Sequence, residues 1–169
     1  MTKTSAGILP FRISDNSGID VFLVHPGGPY WAKKDYGAWS IAKGEVDAGE
    51  DPSFVADREF EEELGAKPPE GPRIDLGSAR QMGGKLVMAW AVEAPSFWVS
   101  TIHSNQFEIE WPPKSGVQRS FPEVDRAEWF SSTEAFTKLL KSQGVFLKRL
   151  IEILHASGRV PTGNQNAGR

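Results

Sequence analysis

The chain has 169 residues, of which 39% are hydrophobic and 24% are charged, and this length fits one domain. It contains no cysteine, which excludes a disulfide framework, a thiolate zinc site and a cysteine nucleophile. The formal net charge of −3 gives no support to nucleic-acid or membrane binding, and no apolar run approaches the roughly 20 residues that span a bilayer. We therefore expect a cytoplasmic, single-domain protein, monomeric or homodimeric, with neither nucleic acid nor membrane as a partner.

The first predicted element is a β-hairpin. Residues 4–13 and 19–25 are apolar, β-branched runs separated by a Ser-Asp-Asn-Ser-Gly turn. Pro10 lies inside the first run, and because proline cannot donate a ladder hydrogen bond it predicts a bulged strand or an edge strand. Residues 26–38 then form a loop that is punctuated by glycine and proline and carries lysines and aromatic side chains.

A helix follows this loop. Asp51 and Pro52 are an N-cap candidate and a proline at the first helical position, and Gly65 predicts the end of the helix after Leu64. The later pattern predicts strands at 73–79, 85–93 and 126–130, irregular structure over 95–122, helices at 132–141 and 145–156, and a disordered polar tail over 157–169. Strands around one central helix, with helices at the end, predict a mixed sheet covered on both faces.

The central helix carries an unusual group of carboxylates. At about 100° per residue, Glu59, Glu62 and Glu63 share one arc of the helix, whereas Glu61 points to the opposite side. A solvated acidic face is the simplest interpretation. However, like charges one turn apart repel, and Arg58 alone cannot neutralise three of them. A hard divalent cation would relieve this repulsion, and Mg²⁺ prefers a few carboxylates together with water and phosphate oxygens.

The wider segment carries a family resemblance. Residues 44–66 read GEVDAGEDPSFVADREFEEELGA and match, at every fixed position, the Nudix box Gly-x5-Glu-x7-Arg-Glu-U-x-Glu-Glu-x-Gly-U, in which U is apolar. Residues 25–45 and 120–130 are also similar to a bacterial subgroup of Nudix proteins that act on small nucleotides. On these residues the chain is identified as a member of the Nudix hydrolase family.

This resemblance implies both a fold and an activity. The fold is an α/β/α sandwich around a mixed sheet, with a loop-helix-loop catalytic motif, and it occupies residues 1–156. The activity is hydrolysis of a nucleoside diphosphate linked to another moiety, with Mg²⁺ or Mn²⁺. The resemblance implies catalytic roles for Glu59, Glu62, Glu63 and Arg58, metal ligation by Glu59, Glu62, Glu63 and the carbonyl of Lys43, and structural roles in the motif for Gly44, Glu50 and Gly65. It leaves open whether Glu59 is a ligand or the general base.

The substrate is less well defined. Candidate phosphate contacts are Lys33, Lys34 and Arg119, and candidate stacking residues include Trp31 and Tyr36, with ordinary surface charge or packing as the alternative for each. A further site carboxylate is expected among Glu93, Glu108, Glu110 and Glu123, between which the sequence does not choose. The short chain and the Ala-Lys-Gly-Glu entry to the box are similar to hydrolases of dinucleoside polyphosphates or nucleoside triphosphates. The alternative is a catalytically silent nucleotide-binding or regulatory module.

Overall fold

The computed structural model describes residues 2–161, which form a mixed six-stranded sheet, a separate two-stranded hairpin and three α-helices. The strands are β1 (Thr4–Ile13), β2 (Ile19–Pro26), β3 (Ala42–Glu45), β4 (Arg73–Arg80), β5 (Leu86–Glu93), β6 (Gln106–Glu110), β7 (Gln118–Pro122) and β8 (Val124–Ser131). The helices are α1 (Pro52–Leu64), α2 (Ser132–Lys138) and α3 (Gly144–Ala156), with a 3₁₀ turn at Lys141–Gln143 before α3. Within residues 2–161, no helix is both long and apolar enough to cross a membrane.

The large sheet has the order β4-β5-β1-β2-β8, and β3 pairs with β1. Strand β1 runs parallel to β5 and antiparallel to both β2 and β3, so the sheet is mixed as predicted. Apolar residues of α1 pack on one face of this sheet, and apolar residues of α3 pack on the other. Two helical layers around one sheet confirm the predicted α/β/α sandwich.

The prediction that Pro10 marks a bulged strand or an edge strand is wrong, because β1 lies at the centre of the sheet. Phe11 directs its carbonyl to the amide of Ala94 on the β5 side, so the neighbouring Pro10 directs its nitrogen to the opposite edge. At that edge the pairing with β3 ends at Ile8, and the pairing with β2 begins at Phe11. The missing N–H therefore falls where β1 changes partner, and no ladder hydrogen bond is lost there.

The prediction of irregular structure over residues 95–122 holds for 95–105 and 111–117 but is wrong for 106–110 and 118–122. Strands β6 and β7 pair antiparallel in this segment and form a hairpin outside the main sheet. In β6, Phe107 and Ile109 are half-buried and alternate with exposed polar residues, which is the period of a half-covered strand. This alternation is short and lies close to Trp111-Pro112-Pro113. Because prolines favour irregular structure, the sequence pattern of this segment does not predict a strand.

The predicted tail divides into two parts. The chain does not leave the domain at Ser157, because Val160 is only 4% exposed and packs into the core beside α3, and Arg159 forms an ion pair with Glu93. The packed domain therefore extends beyond the predicted boundary at residue 156. Residues 162–169, on which the rest of the prediction falls, lie outside the described residues.

Candidate active site

Helix α1 forms because its two ends are capped by local groups. The Asp51 side chain accepts a hydrogen bond of 2.9 Å from the Ser53 amide, and Pro52 occupies the first turn. Gly65 adopts a left-handed φ of 72°, and its amide donates to the Glu61 carbonyl at 2.7 Å. These bounds agree with the sequence prediction. The apolar side of the helix, with Phe60 at its centre, packs on the sheet and fixes the direction of the carboxylates.

Glu59 lies directly beneath strand β3. A methyl group added to Gly44 would lie 2.0 Å from the Glu59 carboxyl carbon, so only glycine permits this close approach. Burial raises the pKa of Glu59, the negative charge of Glu62 raises it further, and Arg58 opposes both effects. The protein thus holds the Glu59 carboxyl group at a position where its negatively charged form is disfavoured.

Glu63 is the most deeply placed carboxyl group of the helix. Burial raises its pKa to about 8, while the ammonium group of Lys43 partly opposes the shift. Its Oε2 atom is buried and has no hydrogen-bond partner. A buried carboxylate oxygen without a partner lowers the stability of the fold, so this atom is suited to coordinating a bound cation. The pKa of Lys43 is lowered, mainly by burial.

Arg58 connects the loop before the helix to the carboxylates. Its guanidinium donates to Glu50 at 2.6 Å and lies 3.7 Å from Glu59 and 4.0 Å from Glu62. Glu50 in turn accepts from the Asp47 amide at 2.9 Å, which closes the loop. Glu50 therefore takes the loop-holding position that was expected, and Arg58 is placed to orient two carboxylates of the helix.

Glu123 joins the carboxylates from outside the box. Its amide donates to the Asn105 carbonyl at 2.8 Å, and its carbonyl accepts from Gly27 at 2.9 Å. Burial and the charge of Glu62 raise its pKa. Of the other sequence candidates, Glu93 pairs with Arg159, and the side chains of Glu108 and Glu110 are exposed on β6. Glu123 can be identified among the four candidates only from the fold, because no sequence spacing relates it to the carboxylates of α1.

A cleft of about 190 Å³ adjoins Glu63 and Glu123. The polar or aromatic residues that line it are Trp31, Ser40, Lys43, Glu63 and Glu123. The cleft thus brings together residues from the loop after β2, from β3, from α1 and from the junction between β7 and β8.

The predicted substrate contacts are only partly brought together. Trp31 lines the cleft, and Lys34 lies over its ring at 4.9 Å, whereas Lys33 is exposed outside the cleft lining. Tyr36 is 77% exposed and contacts Lys138, and Arg119 is exposed on β7. Trp31 is therefore the one of these five candidates that lines the cleft.

The residues fit a hard divalent cation chemically. The donors are carboxylate oxygens, one of them is buried without a partner, and three of the four carboxyl groups have raised pKa values. Among residues 2–161, no three side chains of the ligating types already converge on a single metal position.

Comparisons with known proteins agree with this site and fold. The profile of the NUDIX domain matches residues 1–150, so the chain belongs to the Nudix hydrolase family. The RNA pyrophosphohydrolase of Rhodospirillum rubrum is 36% identical over 66 residues, which cover 37% of this chain and 38% of that protein. The aligned segment thus spans well under half the length of that relative.

Solved structures show the same fold at low identity. A binary complex of the C. elegans Ap4A hydrolase is 18% identical, with a TM-score of 0.64 over 92% of this chain and 99% of that chain. The NUDIX domain of Shewanella oneidensis NrtR, complexed with ADP ribose, is 13% identical, with a TM-score of 0.62 over 91% of this chain and 89% of that chain. These likenesses establish the architecture.

Proposed function

We propose that the protein hydrolyses a phosphoanhydride bond in a nucleoside diphosphate linked to another moiety, with Mg²⁺ or Mn²⁺ as cofactor. We further propose a dinucleoside polyphosphate or a nucleoside triphosphate as the substrate. The observation that carries the proposal is the buried, unpartnered oxygen of Glu63 beside a cleft, within a complete set of box carboxylates.

The metal would be held by Glu59, Glu62, Glu63 and the Lys43 carbonyl, and Glu123 would contribute from the hairpin side. When bound, a divalent cation neutralises phosphate oxygens and lowers the pKa of a coordinated water. Along a strand, the backbone N–H and C=O groups of successive residues point to opposite sides. Val46, directly after β3, donates its amide to Thr4 of β1, so the backbone groups of Lys43, three residues earlier, point away from β1. The Lys43 carbonyl is therefore free of the β1 pairing, which suits it to this role.

The remaining roles belong to the side chains of the chain itself. A carboxylate accepts the proton of the attacking water, and Glu59, whose pKa is raised, is suited to this where it does not itself ligate the metal. Arg58 keeps Glu59 and Glu62 oriented through contacts of 3.7 and 4.0 Å. Lys43, which lines the cleft, supplies a positive charge to the phosphate oxygens.

The relatives support nucleotide pyrophosphate chemistry. One is described as an RNA pyrophosphohydrolase and another as an Ap4A hydrolase. A catalytically silent module is the less favoured alternative, because Glu59, Glu62 and Glu63 are all retained.

A substrate panel tests the proposal. Dinucleoside polyphosphates, nucleoside triphosphates and ADP-ribose are incubated with Mg²⁺, with Mn²⁺ and with a chelator, and the products are identified by chromatography. We expect metal-dependent cleavage that yields a nucleotide and a second phosphorylated product. Binding of these compounds without any turnover would instead support the silent module.

A further inference from the structure

A second cavity, of about 240 Å³, lies between the loop after β2 and the β6–β7 hairpin. Tyr30 and Trp31 line it from the loop, and Phe107 and Ile109 line it from β6. We call these four residues the aromatic slot. Because strand side chains alternate between faces, Phe107 and Ile109 point to the same side while their charged neighbours in β6 do not.

The walls of the slot are fixed by close backbone contacts. The Gly27 amide donates to the Glu123 carbonyl at 2.9 Å, and a methyl group on Gly27 would lie 1.9 Å from the Pro122 carbonyl oxygen. Gly28 has a φ of +94°, and a methyl group there would lie 2.7 Å from the Phe107 ring. Two glycines therefore let the loop backbone lie against the hairpin, and these contacts hold the walls of the slot together.

An aromatic pair joins the loop and the hairpin beside the slot. Tyr30 packs edge-on against Trp111 at a ring-centroid distance of 5.3 Å. Such pairs add directional contacts to ordinary apolar packing. This contact ties the loop wall to the hairpin a second time.

The slot is continuous with the cleft beside the carboxylates. Pro26, Trp31 and Glu123 line both cavities. The lining of the slot contains no Lys or Arg, and its one charged residue is the carboxylate of Glu123. The slot is therefore unfavourable for a phosphate and favourable for a flat, uncharged ring.

We propose that the aromatic slot binds the nucleobase of the substrate, stacked on Phe107 while the phosphates occupy the adjoining cleft. This inference rests on the proposed function and specifies the part of the substrate that the slot recognises. Stacking on an aromatic side chain contributes about 10- to 100-fold in affinity and tolerates different bases.

Binding measurements test this inference without turnover. ADP and inorganic pyrophosphate are titrated into the full chain with Mg²⁺ by calorimetry, because both carry a diphosphate and only ADP carries a base. The variants are Phe107→Leu, which keeps an apolar side chain but removes the ring, and Trp98→Ala. Trp98 is 72% exposed and lines neither cavity, so Trp98→Ala controls for the loss of an aromatic side chain away from the slot.

We expect the wild type to bind ADP at least tenfold more tightly than pyrophosphate. Phe107→Leu should weaken ADP binding by about tenfold and pyrophosphate binding by less than twofold, and Trp98→Ala should change neither. Equal losses for both ligands, no loss for either, or no ADP binding by the wild type would each overturn the inference. If ADP binds as expected but the substrate panel shows no turnover, the proposed hydrolysis fails and the base site stands.

Discussion

Replacement of Glu63 by glutamine should have opposite effects on stability and activity. The pKa of this carboxyl group is about 8 in the fold against 4.5 for an exposed glutamate. Between these values the folded protein retains a proton that the unfolded chain has released, so metal-free stability falls as the pH rises through this range. The full shift corresponds to about 5 kcal/mol, and Glu63→Gln should recover part of it above pH 8.

The expected stabilisation is set by two opposing contacts. Glutamine keeps the shape and removes the buried charge, but it also loses the attraction of the Lys43 ammonium. We expect a net gain of about 1–3 kcal/mol at about pH 9, which corresponds to roughly 2–10 °C in Tm for a chain of this size, and a small change at about pH 6.

Activity should change in the other direction. Loss of one carboxylate from the metal face should lower kcat/KM by about 10²–10⁴-fold at saturating Mg²⁺. Glu61→Gln is the matched control, because Glu61 is exposed and points to the opposite side of α1; it should alter the rate less than a few-fold. Thermal melts with a chelator and steady-state kinetics measure both quantities. A Glu63→Gln protein that is less stable and less active in proportion would refute the argument, since a structural role alone would produce that result.

Three other perturbations address the same site and the domain boundary. Mg²⁺ or Mn²⁺ should raise Tm more at about pH 9 than at about pH 6, because the buried carboxyl groups must lose their protons before they bind a metal. Thermal melts measure this, and a rise in Tm that does not depend on pH would contradict it. Gly44→Ala should lower kcat by at least about tenfold, since its methyl group would lie 2.0 Å from the Glu59 carboxyl carbon, and unchanged kinetics would contradict the close approach. Truncation after Ala156 removes the buried Val160 and should cost about 1–3 kcal/mol in denaturant unfolding, whereas a chain that ends at residue 161 is the control.

Helix α1 could be predicted from the sequence because its signals are local. Asp51, Pro52 and Gly65 each act within one turn of the helix end, and the structure places α1 between the same residues that the pattern indicates. The placement of Glu63 on one side of the helix with Glu59 and Glu62 also follows from helical periodicity. Its deep burial does not follow, because the residues that cover it come from other elements.

Two of the features that the sequence did not reveal depend on distant pairing. Pro10 is accommodated in a central strand only because β3 and β2 share one edge of β1, which no local pattern encodes. The choice of Glu123 among four candidate carboxylates depends likewise on where the hairpin returns to the sheet. The role of Glu123 in the site remains a prediction.

Main-chain hydrogen bonds explain how three separate segments meet at one site. The Asn105 amide donates to the Glu62 carbonyl at the end of α1, and the Asn105 carbonyl accepts from Glu123. The Glu123 carbonyl then accepts from Gly27, at the start of the loop that forms the aromatic slot. Because these contacts use backbone atoms, they fix the separation of helix, hairpin and loop whatever side chains the segments carry. The side chains at Glu62, Glu123 and Trp31 can therefore determine chemistry and specificity on a frame that does not depend on them.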